Sequence, residues 1–515
     1  MDLIFEKVKQ NIDKVKCYDS FTFDSDYVIK DNRMDVGKVV CHNAKIKNDE
    51  YKLIGDAVWV SGSIEFEVVY VTDEENGQVE SISDSFAFQE KVDADGVLED
   101  DELRLYLKIE DMNISIINSR KLSIRGEIKS ELYAKKEVEI GYPLKMSDES
   151  IMQLYEEIPV MDMVCDVKDI IRVRKEIVLP KTKSNIYKLL YSVADIRNLE
   201  YSRKTEGIET TGEIDIFIIY QSEEQELCYF ETVENFCELL KLDNRDGDID
   251  WIRFDTINYQ IEAENDYDGE PRQLFVEMSL SMDGKIWKQR NLNVLADLYA
   301  LDKKISPVKQ EICMNKLKMK NISKCRVMSQ FEKTKSDRNI FHVCSSMADV
   351  FIENIKSVEN GVVVSGILAV KTISVVDNDS CSIEKQEEKI EFEQYVELGI
   401  VTNNTYIEVC GKVDQLQVNL LEAKEYEVKA VISIEVLAME TEHRKIIVDI
   451  EQEDRIFEEN TPGIVGYIMQ KNEKLWDVAK KYNTTIESIM EINELNSESV
   501  NENQRIIIAR ESKIC

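Results

Sequence analysis

The chain has 515 residues, 43% of them hydrophobic, enough to bury several domain-sized cores. Its 65 Lys and Arg face 101 Asp and Glu, a formal charge of -36. That balance excludes nucleic acid and anionic lipid as main ligands, since both need clustered cations; the acidity serves solubility or meets a basic partner surface.

Residues 1–10 lack the apolar stretch of an export signal. No run approaches the roughly 18 apolar residues of a membrane span. The 11 cysteines are irregularly spaced, odd in number and without a Cys-x-x-Cys pair, which points to free thiols in a reducing cytoplasm. Proline is scarce, at 6 residues, so long extended linkers are not expected.

A long internal repeat follows. Ala44-Lys45-Ile46, Ala194-Asp195-Ile196 and Ala348-Asp349-Val350 each begin 18 residues before a glycine: Gly62, Gly212 and Gly366. A second strand-like stretch starts about sixty residues later, with Leu122, Leu274 and Tyr426 at 60, 62 and 60 residues from those glycines. The period is domain-sized, so these are tandem domains and not a solenoid. Ile64, Phe66, Val68 and Tyr70 alternate with more polar residues, as do Ile214, Ile216, Ile218 and Tyr220; the third copy shows a weaker set, Ile367, Ala369, Lys371 and Ile373. Period two with β-branched and aromatic residues predicts half-buried strands. A glycine inside each run predicts a bulge or close backbone approach. The fold class is mainly β: three tandem β-rich repeats, sandwich or barrel-like with acidic outer faces, at 1–160, 161–305 and 306–460, then a small βααβ module at 461–515.

Between the first two copies, Ser147 to Ile158 reads as a capped amphipathic helix stopped by Pro159. Asp243-Asn244-Arg245-Asp246-Gly247-Asp248 partly matches a calcium loop but lacks the closing glutamate, and reads as a polar turn. His42 and His342 lie in strand-like runs, and His443 in an exposed turn; none has a second ligand pair at zinc spacing, so no metal is expected. There is no Gly-x-x-x-x-Gly-Lys-Ser/Thr phosphate loop and no divergent carboxylate or cysteine cluster in one repeat. Neither an enzyme nor a cofactor is expected. Glu451 to Thr461, closing on Pro462-Gly463, reads as a hinge.

In the last module, Asn472 is the expected N-cap of a helix with Leu475, Trp476, Val478, Ala479 and Tyr482 as its apolar positions. Thr484-Thr485-Ile486-Glu487 opens a second helix with Ile486, Ile489, Met490 and Ile492 inward. Strands around Tyr467 and Ile506-Ile507-Ile508 close the unit.

Residues 464–511, with the core Leu475-Trp476-Asp477-Val478-Ala479-Lys480-Lys481-Tyr482, resemble a LysM domain, a module that often binds N-acetylglucosamine glycans. The family's Gly-Asp-Thr is Asn472-Glu473-Lys474 here, and its Pro-Gly-Gln is Glu502-Asn503-Gln504. Side chains in place of glycine add bulk and restrict φ in the sugar groove, which favours a protein ligand. Tandem acidic β-repeats ending in one LysM domain resemble the SipL-type spore envelope proteins, whose repeats are of the SPOCS family. The resemblance implies coat assembly at the forespore surface, from the mother-cell cytoplasm. It also implies docking of the LysM domain on stage IV sporulation protein A, a polymerising ATPase, with other coat proteins as further partners. The binding residues expected are Trp476, Leu475, Lys474, Glu473, Asn472, Ile464 and Tyr467, with Ile464 either beginning the first strand or forming an exposed apolar rim. The rival reading is a peptidoglycan or N-acetylglucosamine anchor.

Overall fold

The computed structural model describes residues 2–74, 77–242, 246–332, 339–377, 383–422, 425–453 and 463–509. Three repeats each lay down six strands in the same order. The first comprises β1 (Leu3–Val28), β2 (Val36–Ile54), β3 (Ala57–Thr72), β4 (Val79–Asp93), β5 (Glu102–Asn118) and β6 (Lys121–Met146). The second comprises β7 (Ile151–Val178), β8 (Lys188–Lys204), β9 (Gly207–Gln221), β10 (Leu227–Lys241), β11 (Ile249–Glu264) and β12 (Gln273–Ala300). The third comprises β13 (Lys304–Glu332), β14 (Ile340–Val358), β15 (Gly361–Val376), β16 (Ile383–Glu397), β17 (Thr405–Glu422) and β18 (Glu425–Glu453). In every repeat the first and sixth strands, far apart in the chain, pair as a long antiparallel ribbon of hairpin shape, with the fifth on the other flank of the sixth; the second, third and fourth make a second sheet. The two sheets pack face to face as a sandwich, and among the described residues no sheet closes into a barrel.

The sandwich cores follow the alternation in two copies. Ile64, Phe66, Val68 and Tyr70 are buried in the first, and Ile214, Ile216, Ile218 and Tyr220 in the second. In the third copy the phase is the opposite of the one expected: Val362, Val364, Leu368 and Val370 point inward, while Lys371 lies near the surface. The run Gly361–Val376 is almost continuously apolar, so its parity could not be read from hydrophobicity. The shared glycine has one role in all three repeats. Gly62, Gly212 and Gly366 pair across the strands with Phe88, Phe236 and Phe392, whose rings lie over the bare backbone. A register shift interrupts the opposite strand at each site, between Asn48 and Glu50, Arg197 and Glu200, and Ile352 and Asn354. Both the bulge and the close approach are therefore present.

Several other expectations change. The stretch 151–158 is the start of β7 and not a helix; only the Asp148–Ser150 turn, closed by a 2.6 Å bond from Ser150 Oγ to Asp148 Oδ1, precedes it. Partnership with β12 decides the conformation, Leu154 lying opposite Asp297 and Pro159 opposite Asn291. Proline is tolerated because β7 is an edge strand of its sheet. His443 is exposed, but within β18 opposite Cys313 and not in a turn. The outer sheet faces are not uniformly acidic: Val40, Cys41, Val69 and Val71 of the first repeat join the core of the second, where Phe217 and Ile219 also point outward and are buried. The hinge reading at 451–461 lies outside the described residues from 454 onward, and the polar-turn reading at 243–248 does so over 243–245.

The long hairpins of the three repeats pack against one another as a stem. Val8, Ile140 and Tyr142 of the first meet Ile158, Val160, Leu292 and Val294 of the second and Met314 and Ile446 of the third. Where the stem opens into the three sandwiches, the apolar packing gives way to charge. Arg104 bonds Glu102 at 2.7 Å and Asp166 at 2.6 Å and also pairs with Asp283. Lys285 reaches Glu102 at 2.8 Å, Arg253 reaches Glu131 at 2.6 Å, and Lys135 pairs with Glu408. All three repeats contribute, around a cavity of about 40 Å³ that has room for a few water molecules. Burial opposes the charge on Glu102, but hydrogen bonds and attraction from Lys285 and Arg104 win and bring its carboxyl down to about 2.

Two outcomes are expected. Gly366→Ala places a Cβ 2.0 Å from the Phe351 carbonyl oxygen and should lower the main melting transition by the equivalent of about 1–3 kcal/mol, whereas Gly466→Ala, with nothing within 4 Å, should not shift it. Arg104→Ala leaves the partly buried Glu102 and Asp283 without their guanidinium and should cost about 1.5–3 kcal/mol in chemical denaturation. Because the Glu102 carboxyl is depressed from 4.5 to about 2, its contribution is complete above pH 4.5 and is lost as pH falls through 2. Acid titration of the melting temperature should show that loss in the wild type and only partly less of it in Arg104→Ala, since Lys285 still holds the Glu102 carboxyl down.

Candidate binding module

The carboxy-terminal module consists of β19 (Ile464–Ile468), α1 (Leu475–Tyr482), α2 (Ile486–Ile492) and β20 (Arg505–Ala509). β19 and β20 pair antiparallel, Tyr467 opposite Ile506. Met469, Leu475, Val478, Ala479, Ile489, Ile506 and Ile508 form its core. Helix α1 is capped at Lys474 and not at Asn472: the Lys474 amide donates to Asp477 Oδ2 at 3.2 Å, and Asn472 sits in the turn before it. Thr485 caps α2, its hydroxyl accepting from the Ser488 amide at 3.1 Å. Ile489 is buried as expected, but Ile492 faces solvent.

Two loops flank the place where a glycan groove would lie. They are zipped by hydrogen bonds from the Met469 amide to the Gln504 carbonyl (3.0 Å) and from the Asn503 amide to the Met469 carbonyl (2.9 Å). Asn472 and Asn503 stand where the family has glycine, and both are left-handed, with φ of 62° and 64°. Asparagine is among the few residues that enter this region readily. The backbone path that loss of glycine was expected to bar is therefore kept, while the added side chains remain. Glu473 accepts from the Gln470 amide at 2.9 Å and from the Tyr467 hydroxyl at 2.8 Å. That hydrogen bond, helped by slight burial, pushes the Tyr467 hydroxyl up to about 12. Tyr467 also meets Tyr482 edge-on, with ring centroids 5.5 Å apart.

The seven sequence-derived site residues divide into two groups. Asn472, Glu473 and Lys474 sit together on the first loop with Tyr467 beside them, open to solvent to different degrees. Ile464 begins β19 and is 72% exposed, on the outer sheet face that also carries Ile468 and Ile507. Leu475 and Trp476 are instead buried. Leu475 belongs to the module's own core. Trp476 is 6% exposed because the module rests on the second repeat. Its indole N–H donates to Asp297 Oδ2 at 2.9 Å, and its ring meets Tyr299 edge-on at 4.9 Å. Lys480 binds both oxygens of Asp297 at 2.6 and 2.8 Å. Tyr299 donates to the Thr484 carbonyl at 2.8 Å, and Asn483 Nδ2 to the Leu301 carbonyl at 2.8 Å.

Sequence reasoning missed Asp297, Tyr299 and Leu301. The available signal was a lone carboxylate inside the apolar run Leu295-Ala296-Asp297-Leu298-Tyr299-Ala300-Leu301, at a register shift of β12. Among the described residues no group of three His, Cys, Asp or Glu gathers as metal ligands, and none of the nine described cysteines is in a disulfide. Among them, too, no helix is long and apolar enough to cross a membrane. His42 is half-buried with its ring Nδ1 shut off from solvent, and desolvation, aided by Lys385, depresses its imidazole to about 3, so it stays neutral near neutral pH.

Residues 35–117 match the family model described as SipL, SPOCS domain, and residues 467–509 match the LysM domain. The two matches bear out the resemblance to a SipL-type chain, one within the first repeat and one over the module. No curated protein and no solved structure matches the chain.

Trp476→Ala should cost about 3–5 kcal/mol, because a large buried ring is lost, and should lower the module's own melting transition. Lys474→Ala should leave that transition within about 0.5 kcal/mol. Differential scanning calorimetry of the full chain separates the two.

Proposed function

We propose that this chain, which joins a SipL SPOCS domain to a LysM domain, is a non-enzymatic adaptor of spore envelope assembly. It works in the mother-cell cytoplasm at the forespore surface. The LysM domain grips the polymerising stage IV sporulation protein A, and the three repeats build and space the coat, with other coat proteins as further contacts. One observation carries the reading: the repeats spend their buried charges on one another, whereas the module leaves an apolar face and a cationic loop open. Ile464, Ile468 and Ile507 supply the face; Lys471 and Lys474 supply the charge. Apolar anchors rimmed by polar groups are how proteins hold other proteins.

A second reading has a specific observation behind it. Asn472 and Asn503, at the positions where the LysM family has glycine, both take the left-handed conformation that glycine enters freely. An N-acetylglucosamine polymer is then the ligand, and peptidoglycan the anchor.

Co-purification decides between them. The full chain should retain stage IV sporulation protein A, a chain ending at Asn460 should not, and Ile464→Glu should weaken capture at least tenfold, since a buried carboxylate costs more than about 1.4 kcal/mol. Saturable retention on peptidoglycan together with indifference to the ATPase would establish the glycan reading instead.

A further inference from the structure

The contact between the module and the second repeat exceeds what a flexible tether needs. One carboxylate, Asp297, serves two donors from the same helix, and beyond it Tyr299 and Leu301 join two more hydrogen bonds to backbone carbonyls across the contact. Met152, Leu154, Tyr299 and Leu301 of the second repeat complete an apolar cluster with the module's core. Asp297 lies at a register shift of β12, which turns its side chain toward α1. Lys480 and the Trp476 indole hold the carboxyl below its ordinary range despite partial burial, so the contact is charged throughout the neutral range.

We propose that Asp297 is the latch of an intramolecular docking site: the tip of the second repeat's hairpin is a receptor for the chain's own helix α1 and fixes the LysM domain in one orientation. In that orientation the Trp476 face is covered, and the loop 470–474 and the outer sheet face with Ile464 are turned to solvent. The second repeat therefore decides which side of the module a ligand can reach. This does not depend on what the ligand is. The latch opens by charge: because Lys480 and Asp297 are both partly exposed, high salt weakens their attraction.

The test uses the purified full chain alone, without any ligand. A zero-length carbodiimide joins amines to carboxylates only in contact, so the monomer should yield a Lys480–Asp297 isopeptide identified by mass spectrometry, several-fold less of it in 1 M salt. Small-angle scattering should show a larger radius of gyration for Asp297→Lys and a shift back toward the wild-type value in the double variant Asp297→Lys, Lys480→Asp, which restores the ion pair but not the acceptor of the Trp476 indole. Circular dichroism of the variants checks that the fold persists. If the cross-link is absent and Asp297→Lys scatters as the wild type does, the latch is refuted, and the adaptor reading above is untouched.

Discussion

Three long hairpins, one from each repeat, must lie against one another before any other part of the molecule has a fixed place. Their upper halves pack through aliphatic side chains, and where they diverge the packing surface turns into buried charge. Apolar contact is tolerant of small slips, but a guanidinium serving Glu102, Asp166 and Asp283 together is not. Such a network adds little net stability over a well-packed apolar junction, since desolvation offsets most of the attraction. What it supplies is register: a slip of one repeat against the others would separate Arg104 from Asp166 and Asp283 and Lys135 from Glu408.

The same economy runs through the individual sandwiches. A glycine opposite a phenylalanine, with a bulge across from it, recurs at the same point of each second sheet. The ring covers a bare stretch of backbone, and the bulge bends the strand around the core. The loops are also held alike in two repeats. Arg120 gathers the carbonyls of Ile29, Lys30 and Arg33, and Arg272 gathers those of Pro180 and Lys183. Tyr70 and Tyr220 reach the carbonyls of Met34 and Ser184 from the sandwich core. These are solutions to one problem, satisfying backbone groups where a long strand turns into a new sheet.

Much of this was legible in the residues, for reasons that differ by element. The repeat, its strand class and the terminal module rest on periodicity and on residues confined to short range, such as Ile64 to Tyr70 or the Leu475–Tyr482 helix. The parity of Gly361–Val376 was not legible, because a strand covered on both faces carries no alternation. The start of β7 misled for a related reason: Ile151, Leu154 and Ile158 have helical spacing, and only a partner strand some 140 residues away overrides it. At the module, Asn472 and Lys474 lie open and Glu473 half-open, while Ile464, for which two alternatives stood, both begins β19 and lies exposed. Trp476 was ambiguous in sequence, since a large aromatic on a helix suits a core and an interface equally. It serves as both here, on a surface of the same chain.

The second and third hairpins both carry a carboxylate just past a register shift, Asp297 and Asp449, but among the described residues Asp297 receives the terminal module while Asp449 accepts from the Ile450 amide, so the arms of the stem, alike in plan, are unlike at their ends. Three separate copies of one repeat could have assembled the same stem with three identical tips. Fusing them into a single polypeptide allowed one tip to specialise, and a body built from three like units thereby acquires a distinguishable end. Whatever the terminal module meets is then met from that end and not from the other two.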